Sequence, residues 1–251
     1  LPDGRRVDLE VDRGCQQLKG ENFVNDGKQL VYHEQENGKR IQWHTLSVPR
    51  GGEYKLVLAD GTRVWLNAAS ELMYPDHFSA DQRKVVLKGE AYFEVTKDVK
   101  RPFSVVLGDM EVKVLGTSFN VSAYPGVKRQ TTLIEGQVAV NWHRQQVVIR
   151  PGQQAAETDE GLRVASVNVM NYVGWKEHRF VYENKLLGEV LEDLERWYDV
   201  EVFVMHDEIR NLHLTANLPK YENMDKVLEI IEYAACVKFE VKGRTVVVRR
   251  D

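Results

Sequence analysis

The chain contains two copies of one short phrase, in which an apolar residue, an Asp-Gly turn and an alternating stretch follow one another. The copies are residues 1–9 (LPDGRRVDL) and 58–66 (LADGTRVWL). Because Asp-Gly supplies the positive φ angles that a two-residue hairpin needs, each copy predicts a strand, a tight turn and a second strand. A unit of this kind used twice indicates a β-rich body built by repetition, which is typical of scaffolds and recognition modules.

The composition fits a folded globular protein of one large domain or two ordinary ones. Of 251 residues, 43% are hydrophobic and 29% are charged, with a net charge of −4. Lys and Arg are spread along the chain, which disfavours a nucleic-acid partner because such a partner requires a concentrated basic face. No apolar run reaches the roughly 18–20 residues that cross a bilayer, and no signal peptide is visible. Since the chain opens without Met inside a strand–turn phrase, we expect it to be part of a longer protein.

Cysteine usage argues against a disulfide framework. The two cysteines, Cys15 and Cys236, lie near opposite ends of the chain. We expect both to be buried free thiols.

Residues 1–171 read as a mainly β domain with repetitive antiparallel or solenoid-like structure. Short alternating stretches place apolar residues on one face and polar residues on the other, as in Glu90 to Val95. A helical turn is expected at most over residues 67–72. Turn signals separate the stretches at Asp26-Gly27, Asn37-Gly38, Asp60-Gly61, Pro125-Gly126 and Pro151-Gly152.

Residues 173–251 read as a small α+β domain because the apolar period changes to that of amphipathic helices. Asn184 is the expected N-cap of the first helix. Strands are expected around both helices, in the order β-α-β-β-α-β-β. The apolar helix positions are Leu187, Val190, Leu191 and Leu194, followed by Met224, Val227, Leu228, Ile231 and Ala235.

Residues that suggest catalysis or metal binding have simpler explanations. Glu90 and Glu94 share one face of a strand at roughly 13 Å, too far apart for glycoside hydrolysis. Solvent or cross-strand Lys and Arg are their expected neighbours, and Glu135 completes this set of acids. The seven histidines lack metal-ligand spacing, and no nucleophile elbow accompanies them. We therefore expect no catalytic residue, no metal site and no cofactor.

Five tryptophans leave a carbohydrate-binding platform open as an alternative, although packing is the better explanation. Trp175 is expected to pack where the two domains meet. The five are Trp43, Trp65, Trp142, Trp175 and Trp197.

Several phrases together resemble the periplasmic region of FecR-type anti-sigma factors, in the form common in Bacteroides-like bacteria. Their order and spacing match this family over roughly residues 48–155, and residues 175–250 resemble its C-terminal domain, which is similar to the small secretin and TonB-receptor N-terminal (STN) fold. The phrases are LADGTRVWLNAAS (58–70), GEAYFEV (89–95), RPF (101–103), VLGTSFNV (114–121), TTLIEGQV (131–138) and PGQ (151–153).

The resemblance implies a non-enzymatic sensor. In this family an outer-membrane TonB-dependent transporter contacts the sensor through its N-terminal signalling domain, and regulated proteolysis then releases an extracytoplasmic-function sigma factor. The resemblance further implies a periplasmic location, with an inner-membrane helix and a cytoplasmic sigma-binding segment that this sequence does not include.

The C-terminal domain is the expected partner-binding part, because a small β-α-β domain with a free edge can accept another strand. The predicted edge is Leu212, His213, Leu214, Thr215 and Ala216; the alternative is that this strand lies inside the sheet and the partner uses another face. The main alternative function is a carbohydrate-binding β-protein, and a hydrolase of unknown type is a second.

Overall fold

The computed structural model describes residues 1, 3, 7, 9, 16–17, 23–25, 29–32, 40–220 and 223–251. They form two compact units. Unit 1 comprises Leu1–Val48 and Glu53–Val169, and unit 2 comprises Pro49–Gly52 and Met170–Asp251. Unit 1 is built from strands and unit 2 from strands and helices, which confirms the predicted fold class.

In unit 1 sixteen strands form one continuous hydrogen-bonded sheet among the described residues. Most neighbours are antiparallel, as predicted, but β3 pairs with β5, and β8 with β9, in parallel. The strands are β1 (Gln16–Gln17), β2 (Phe23–Asn25), β3 (Gln29–Tyr32), β4 (Trp43–Val48), β5 (Tyr54–Val57), β6 (Arg63–Leu66), β7 (Ser70–Pro75), β8 (Arg83–Glu94), β9 (Phe103–Leu107), β10 (Met110–Val114), β11 (Ser118–Ala123), β12 (Gln130–Glu135), β13 (Val138–Trp142), β14 (Gln145–Ile149), β15 (Gln153–Thr158) and β16 (Gly161–Ser166).

The long strand β8 connects two groups of strands in this sheet, which are the two halves of the sheet. Its first half pairs with β7 and β9, and its second half pairs with β6 and β11. Apolar side chains from both halves meet in one core, which includes Val85, Phe93 and Phe119. Gly89 stands where β8 changes partners, and its φ of +92° is a value that side-chain-bearing residues rarely adopt.

The Asp60-Gly61 turn differs from the predicted two-residue hairpin. Gly61 has a φ of +80°, but Asp60 does not have a positive φ. The amide of Gly61 donates to the carbonyl of Leu58, and the amide of Leu58 donates to the carbonyl of Thr62. These bonds define a three-residue connection with a bulge at the glycine, which needs one positive φ angle instead of two. Gly4 in the first copy, and the predicted turns at 26–27 and 37–38, lie outside the described residues.

Asp60 and Arg83 form a buried ion pair that ties this turn to β8. The Asp60 carboxylate accepts hydrogen bonds from the amide and hydroxyl of Thr62, at 3.0 and 2.8 Å. The Arg83 guanidinium donates to Asp60 Oδ2 at 2.8 Å and to the carbonyls of Thr96 and Arg101 at 2.7 and 2.8 Å. The Arg83 side chain is only 1% exposed. In the second copy of the phrase, Asp60 therefore also holds the charge of Arg83 inside the core.

Unit 2 contains two small sheets and two long helices. Strands β17 and β19 form an antiparallel pair, while a three-stranded sheet has the order β18-β21-β20, with β18 and β21 parallel. From Arg179 onward the order is β-α-β-β-α-β-β, as predicted. The elements are α1 (Met170–Val173), a 3₁₀ helix (Gly174–Glu177), β17 (Arg179–Leu186), α2 (Leu187–Tyr198), β18 (Glu201–Val204), a 3₁₀ helix (Asp207–Asn211), β19 (His213–Pro219), α3 (Met224–Ala235), β20 (Val237–Lys242) and β21 (Thr245–Arg250).

The predicted apolar stripes of α2 and α3 are buried together in the core of unit 2. In the described part of the chain, no helix combines the length and the apolar character needed to cross a membrane.

Two local predictions about helix structure were wrong. Asn184 is not the N-cap of α2, because it lies in β17 at an irregularity of the ladder, with a φ of +52°. The first amide of α2, that of Leu187, donates instead to the carbonyl of Leu212 at 2.7 Å. Residues 67–72 form no helical turn, since a tight turn there leads directly into β7.

The prediction of a buried Cys236 was also wrong. Cys236 is a free, exposed cysteine at the C-terminus of α3, where its φ is +52°. Because a helix ends in this left-handed conformation at its boundary with solvent, the position does not require an apolar side chain. Cys15 lies outside the described residues.

Candidate partner-binding surface

The predicted partner strand lies at the edge of a two-stranded sheet. Among the described residues β19 has only β17 as a neighbouring strand, so its other edge carries no strand. Leu212 is not part of β19; it precedes the strand, and its carbonyl accepts the hydrogen bond from α2. The remaining four predicted residues all belong to β19.

Side chains alternate along β19 as the sequence predicted. His213, Thr215 and Asn217 are exposed, whereas Leu214 and Leu218 are buried in the core of unit 2. Ala216 is half-buried and faces the core. The exposed face of the predicted partner strand is therefore polar.

The backbone of β19 lacks an outward amide at one position of its free edge. The amide of Lys220 donates to the carbonyl of His178, continuing the ladder with β17. Since the direction of the amides alternates along a strand, His213, Thr215, Asn217 and Pro219 face the free edge. Proline has no amide hydrogen, and prolines in sheets occur mainly at edges that do not extend further. Pairing along β19 is thus interrupted at Pro219, the last residue of the strand.

A second free edge, at β18, escaped the prediction. Within the described ranges β18 pairs only with β21, and in parallel. Phe203 is 56% exposed and Met205, directly after the strand, is 61% exposed. The sequence does contain a signal for this surface. In the run from Glu201 to Met205 both alternating faces carry apolar residues, whereas a half-exposed strand normally has one polar face.

Glutamates from the preceding helices cap both outer strands of the three-stranded sheet. Glu195 in α2 accepts the amide of Val202 at 2.7 Å, and Glu232 in α3 accepts the amide of Phe239 at 2.7 Å. The two helix–strand units therefore use the same device at equivalent positions. This hydrogen bond is the leading cause of the lowered pKa of Glu232.

Three aromatic rings surround the ammonium group of Lys220 at the end of β19. Its Nζ atom lies 3.8 Å from the ring centre of Trp197 and 5.7 Å from those of Trp175 and Phe180. All four residues belong to unit 2. Cation–π contacts of this kind stabilise by about 0.5–2 kcal/mol each. Trp175 is buried.

The acidic residues considered for catalysis are engaged in other contacts. Glu90 is half-buried rather than solvated, and its carboxylate accepts the side-chain amides of Asn67 and Asn120 at 2.8 and 2.9 Å. Glu94 pairs across the strands with Arg63, as predicted. In the ranges that the structure describes, no group of three or more His, Cys, Asp or Glu is arranged to hold a metal ion.

Trp65 is packed within unit 1. The ammonium of Lys55 lies 5.1 Å from its ring centre, and Tyr92 contacts the ring edge-on. The ring contributes to packing across the strands, which is the explanation that the sequence favoured.

A charged cluster in unit 1 centres on Arg129. Its guanidinium donates to Asp109 at 2.5 Å and to Glu157 at 2.6 Å, and it lies over the ring of Trp142. The indole of Trp142 also donates to Asp109 at 3.0 Å. The hydrogen bond from Arg129, followed by that from Trp142, lowers the pKa of Asp109 to about 2. Arg129 lowers the pKa of Glu157 as well.

This cluster predicts acid sensitivity of unit 1. The folded-state pKa of Asp109 lies below its ordinary value of 3.8, so its contribution to stability is present above that value and is lost as the pH falls toward 2. In Arg129→Met the pKa of Asp109 should return toward 3.8, and stability should fall less between pH 4 and 2. Carboxyl NMR titration and denaturation at each pH measure both effects.

Lys128→Met is the matched control for this titration, because the ion pair of Lys128 is with the exposed Asp159. It removes one positive charge nearby and should leave the titration of Asp109 in place. An unchanged midpoint of Asp109 in Arg129→Met would contradict the assignment.

Comparisons with known proteins match both units to models of the same family. The family model "FecR protein" matches residues 44–139, and the model "FecR, C-terminal" matches residues 179–248. The chain belongs to the FecR family of anti-sigma factors. The first FecR match runs from β4 to β13, and the second runs from β17 into β21.

Solved structures support the FecR assignment. Two crystal structures, at 1.65 and 2.50 Å resolution, of a protein described as a candidate anti-sigma factor from Parabacteroides distasonis are similar to this chain. Each has a TM-score of 0.78 and 26% sequence identity, and covers 83% of this chain and 99% of the other. No curated protein matches the chain. Membership of the FecR family makes this a regulatory protein.

Proposed function

We propose that this chain is the periplasmic sensor part of a transmembrane anti-sigma factor. It relays a signal from an outer-membrane TonB-dependent transporter to an extracytoplasmic-function sigma factor, and it acts by protein–protein contact rather than catalysis. Unit 2 docks the transporter's N-terminal signalling domain, and unit 1 acts as a spacer and receiver. The full-length protein is anchored in the inner membrane by a single helix.

The observation that carries this proposal is that both units match the FecR anti-sigma factor family. The geometry of unit 2 adds support. Its outer strands, β18 and β19 among them, have edges without a neighbouring strand among the described residues. Such edges suit recognition of another polypeptide, since backbone groups supply affinity and alternate side chains supply specificity.

A deletion in the full-length protein tests the relay. Removing residues 173–251 should uncouple a sigma-dependent reporter from the transporter's substrate, because the docking unit is lost. Reporter output is measured with and without substrate, and the single substitution Lys128→Met in unit 1 serves as the control that keeps the response. A substrate response that persists after the deletion would count against the relay.

Direct binding provides a second measurement. The signalling domain of a TonB-dependent transporter encoded beside this gene should bind the purified chain saturably in calorimetry. Glycan arrays run in parallel test the carbohydrate-binding alternative. Millimolar or tighter binding of a defined oligosaccharide, without transporter contact, would favour that alternative.

A further inference from the structure

We propose that the free edge of β18, with Met205 at its end, is the docking edge for an extended strand of the partner. The strand that fits has apolar side chains at alternate positions and basic residues at its ends. This inference rests on the proposed function only for the partner's identity, the transporter's signalling domain.

The backbone of β18 directs two amides toward the free edge. The amides of Glu201 and Met205 donate to β21 and its preceding turn, at the carbonyls of Arg244 and Val248. By alternation, the amides of Val202 and Val204 face away from β21. They lie on the line along which another strand would pair.

Glu195 occupies part of that line. Its Oε1 atom lies 2.7 Å from the amide nitrogen of Val202, the distance expected for a carbonyl of a pairing strand. Glu195 is only half-buried, so its carboxylate can turn into water when another acceptor arrives. The edge is therefore masked by a side chain that an incoming backbone can displace.

Exposed apolar side chains lie beside these amides. Phe203 and Met205, two residues apart, are each more than half exposed. Phe203 stands opposite Val247 of β21, which extends the apolar surface across the sheet. Soluble proteins protect sheet edges with charges, so an unprotected Phe–Met pair indicates a surface that a partner covers.

Charge defines the ends of the partner strand. Glu201 and Asp207, at the two ends of β18, are exposed carboxylates, and Glu195 lies beside the strand. The neighbouring cations are already paired with other acids: Arg250 lies 3.6 Å from Glu208, and Arg244 lies 2.6 Å from Asp199. An extended segment with Lys or Arg at its ends complements this pattern.

The opposite edge of the same sheet carries charged side chains instead of exposed Phe and Met. At β20 the lysines Lys238 and Lys242 form ion pairs with Glu232 and Glu240. Lysine is the residue that most often protects an edge from pairing. The two edges share the glutamate cap, but only β18 combines it with an exposed apolar pair.

Binding of the signalling domain to variants of the full chain tests the proposal. Phe203→Ser with Met205→Ser should weaken binding roughly tenfold or more, since apolar anchors dominate interfaces. Tyr233→Ser, which alters a side chain that is 91% exposed on α3, should not change the affinity. Thr215→Pro blocks the β19 edge and should also leave binding unchanged.

A second pair of variants tests the hydrogen bond between Glu195 and the amide of Val202. Glu195→Ala should tighten binding about threefold, because no internal hydrogen bond must then be broken. Glu192→Ala, one turn earlier on α2, removes the same charge without freeing an edge amide. In the complex, hydrogen exchange at the amides of Val202 and Val204 should slow.

The outcomes separate the two proposals. If the signalling domain does not bind the unmodified chain, the proposed function fails, and the synthetic peptide Lys-Val-Thr-Val-Thr-Val-Lys then probes the edge by hydrogen exchange. Unchanged hydrogen exchange at the amides of Val202 and Val204 with a saturating probe would overturn the docking edge. Full affinity of the Phe203→Ser/Met205→Ser variant, or loss of binding in Thr215→Pro, would also overturn it. A dimer in light scattering that this double variant abolishes would identify a second copy as the occupant and overturn the partner strand.

Discussion

Replacing Arg83 with methionine is expected to destabilise unit 1 by about 4 kcal/mol. The side chain is 1% exposed and its partner Asp60 is 5% exposed, so the substitution leaves a carboxylate buried without its counter-ion. The carbonyls of Thr96 and Arg101 lose their donors at the same time. Since domains of this kind have total stabilities of about 5–15 kcal/mol, this loss is a large fraction of the whole.

Denaturant unfolding followed through NMR amide signals measures this effect, because it reports unit 1 and unit 2 separately. Arg101→Met is the matched control. Its guanidinium pairs with Asp98 at a site where 35% of the Arg101 side chain is exposed, and such pairs contribute about 0–1 kcal/mol. Arg83→Met and Arg101→Met with equal stability would show that the buried pair has no special role.

A double substitution distinguishes the charge from the packing. Asp60→Leu combined with Arg83→Met removes both charges, and apolar replacements of a buried pair are often neutral. We expect the double variant to be more stable than Arg83→Met alone, in a double-mutant cycle measured by the same unfolding experiment.

Gly89→Ala is expected to destabilise unit 1 by about 3 kcal/mol or more, from two independent causes. The φ of +92° strains any residue with a Cβ atom. An added Cβ would also lie 2.4 Å from the Oγ and 2.7 Å from the Cα of Ser70. The backbone cannot retreat, because the amide of Glu90 is bonded to the same Ser70 hydroxyl at 2.8 Å.

Gly126→Ala separates the two causes. Gly126 has a φ of +78°, but an added Cβ meets nothing within 4 Å. This control should lose only about 1 kcal/mol from backbone strain. The melting temperature of each variant checks the difference, and similar losses in both would show that the contact with Ser70 is unimportant.

Regular periodicity made much of unit 2 predictable. The apolar stripe from Met224 to Ala235 identified α3, and alternation identified β19 with a start one residue early and an end three residues short. These elements are local patterns, since burial on one face imposes a repeat that a single sequence shows. The phrase LADGTRVWL likewise located a turn, but its length depends on Val57 pairing with Arg63 across the strands.

The candidate surface was only partly predictable. Alternation showed which side chains of β19 point outward, yet nothing local indicates that a strand has one neighbour or two. The β18 edge was missed for this reason, and because the run from Glu201 to Met205 resembles a buried strand. Glu195 gave no signal either, since its contact with Val202 depends on how α2 turns into β18.

The amino-acid sequence alone indicated the family, through motifs that resemble it. It also predicted the two-part architecture and the order of elements in unit 2, because these rest on short-range patterns of burial and turn formation. Only the tertiary structure decided that Arg83 lies in the core beside Asp60, that Gly89 contacts Ser70, and that β18 ends its sheet. These contacts join residues that are distant in the chain, and their free energies depend on burial and distance, which one-dimensional patterns do not encode.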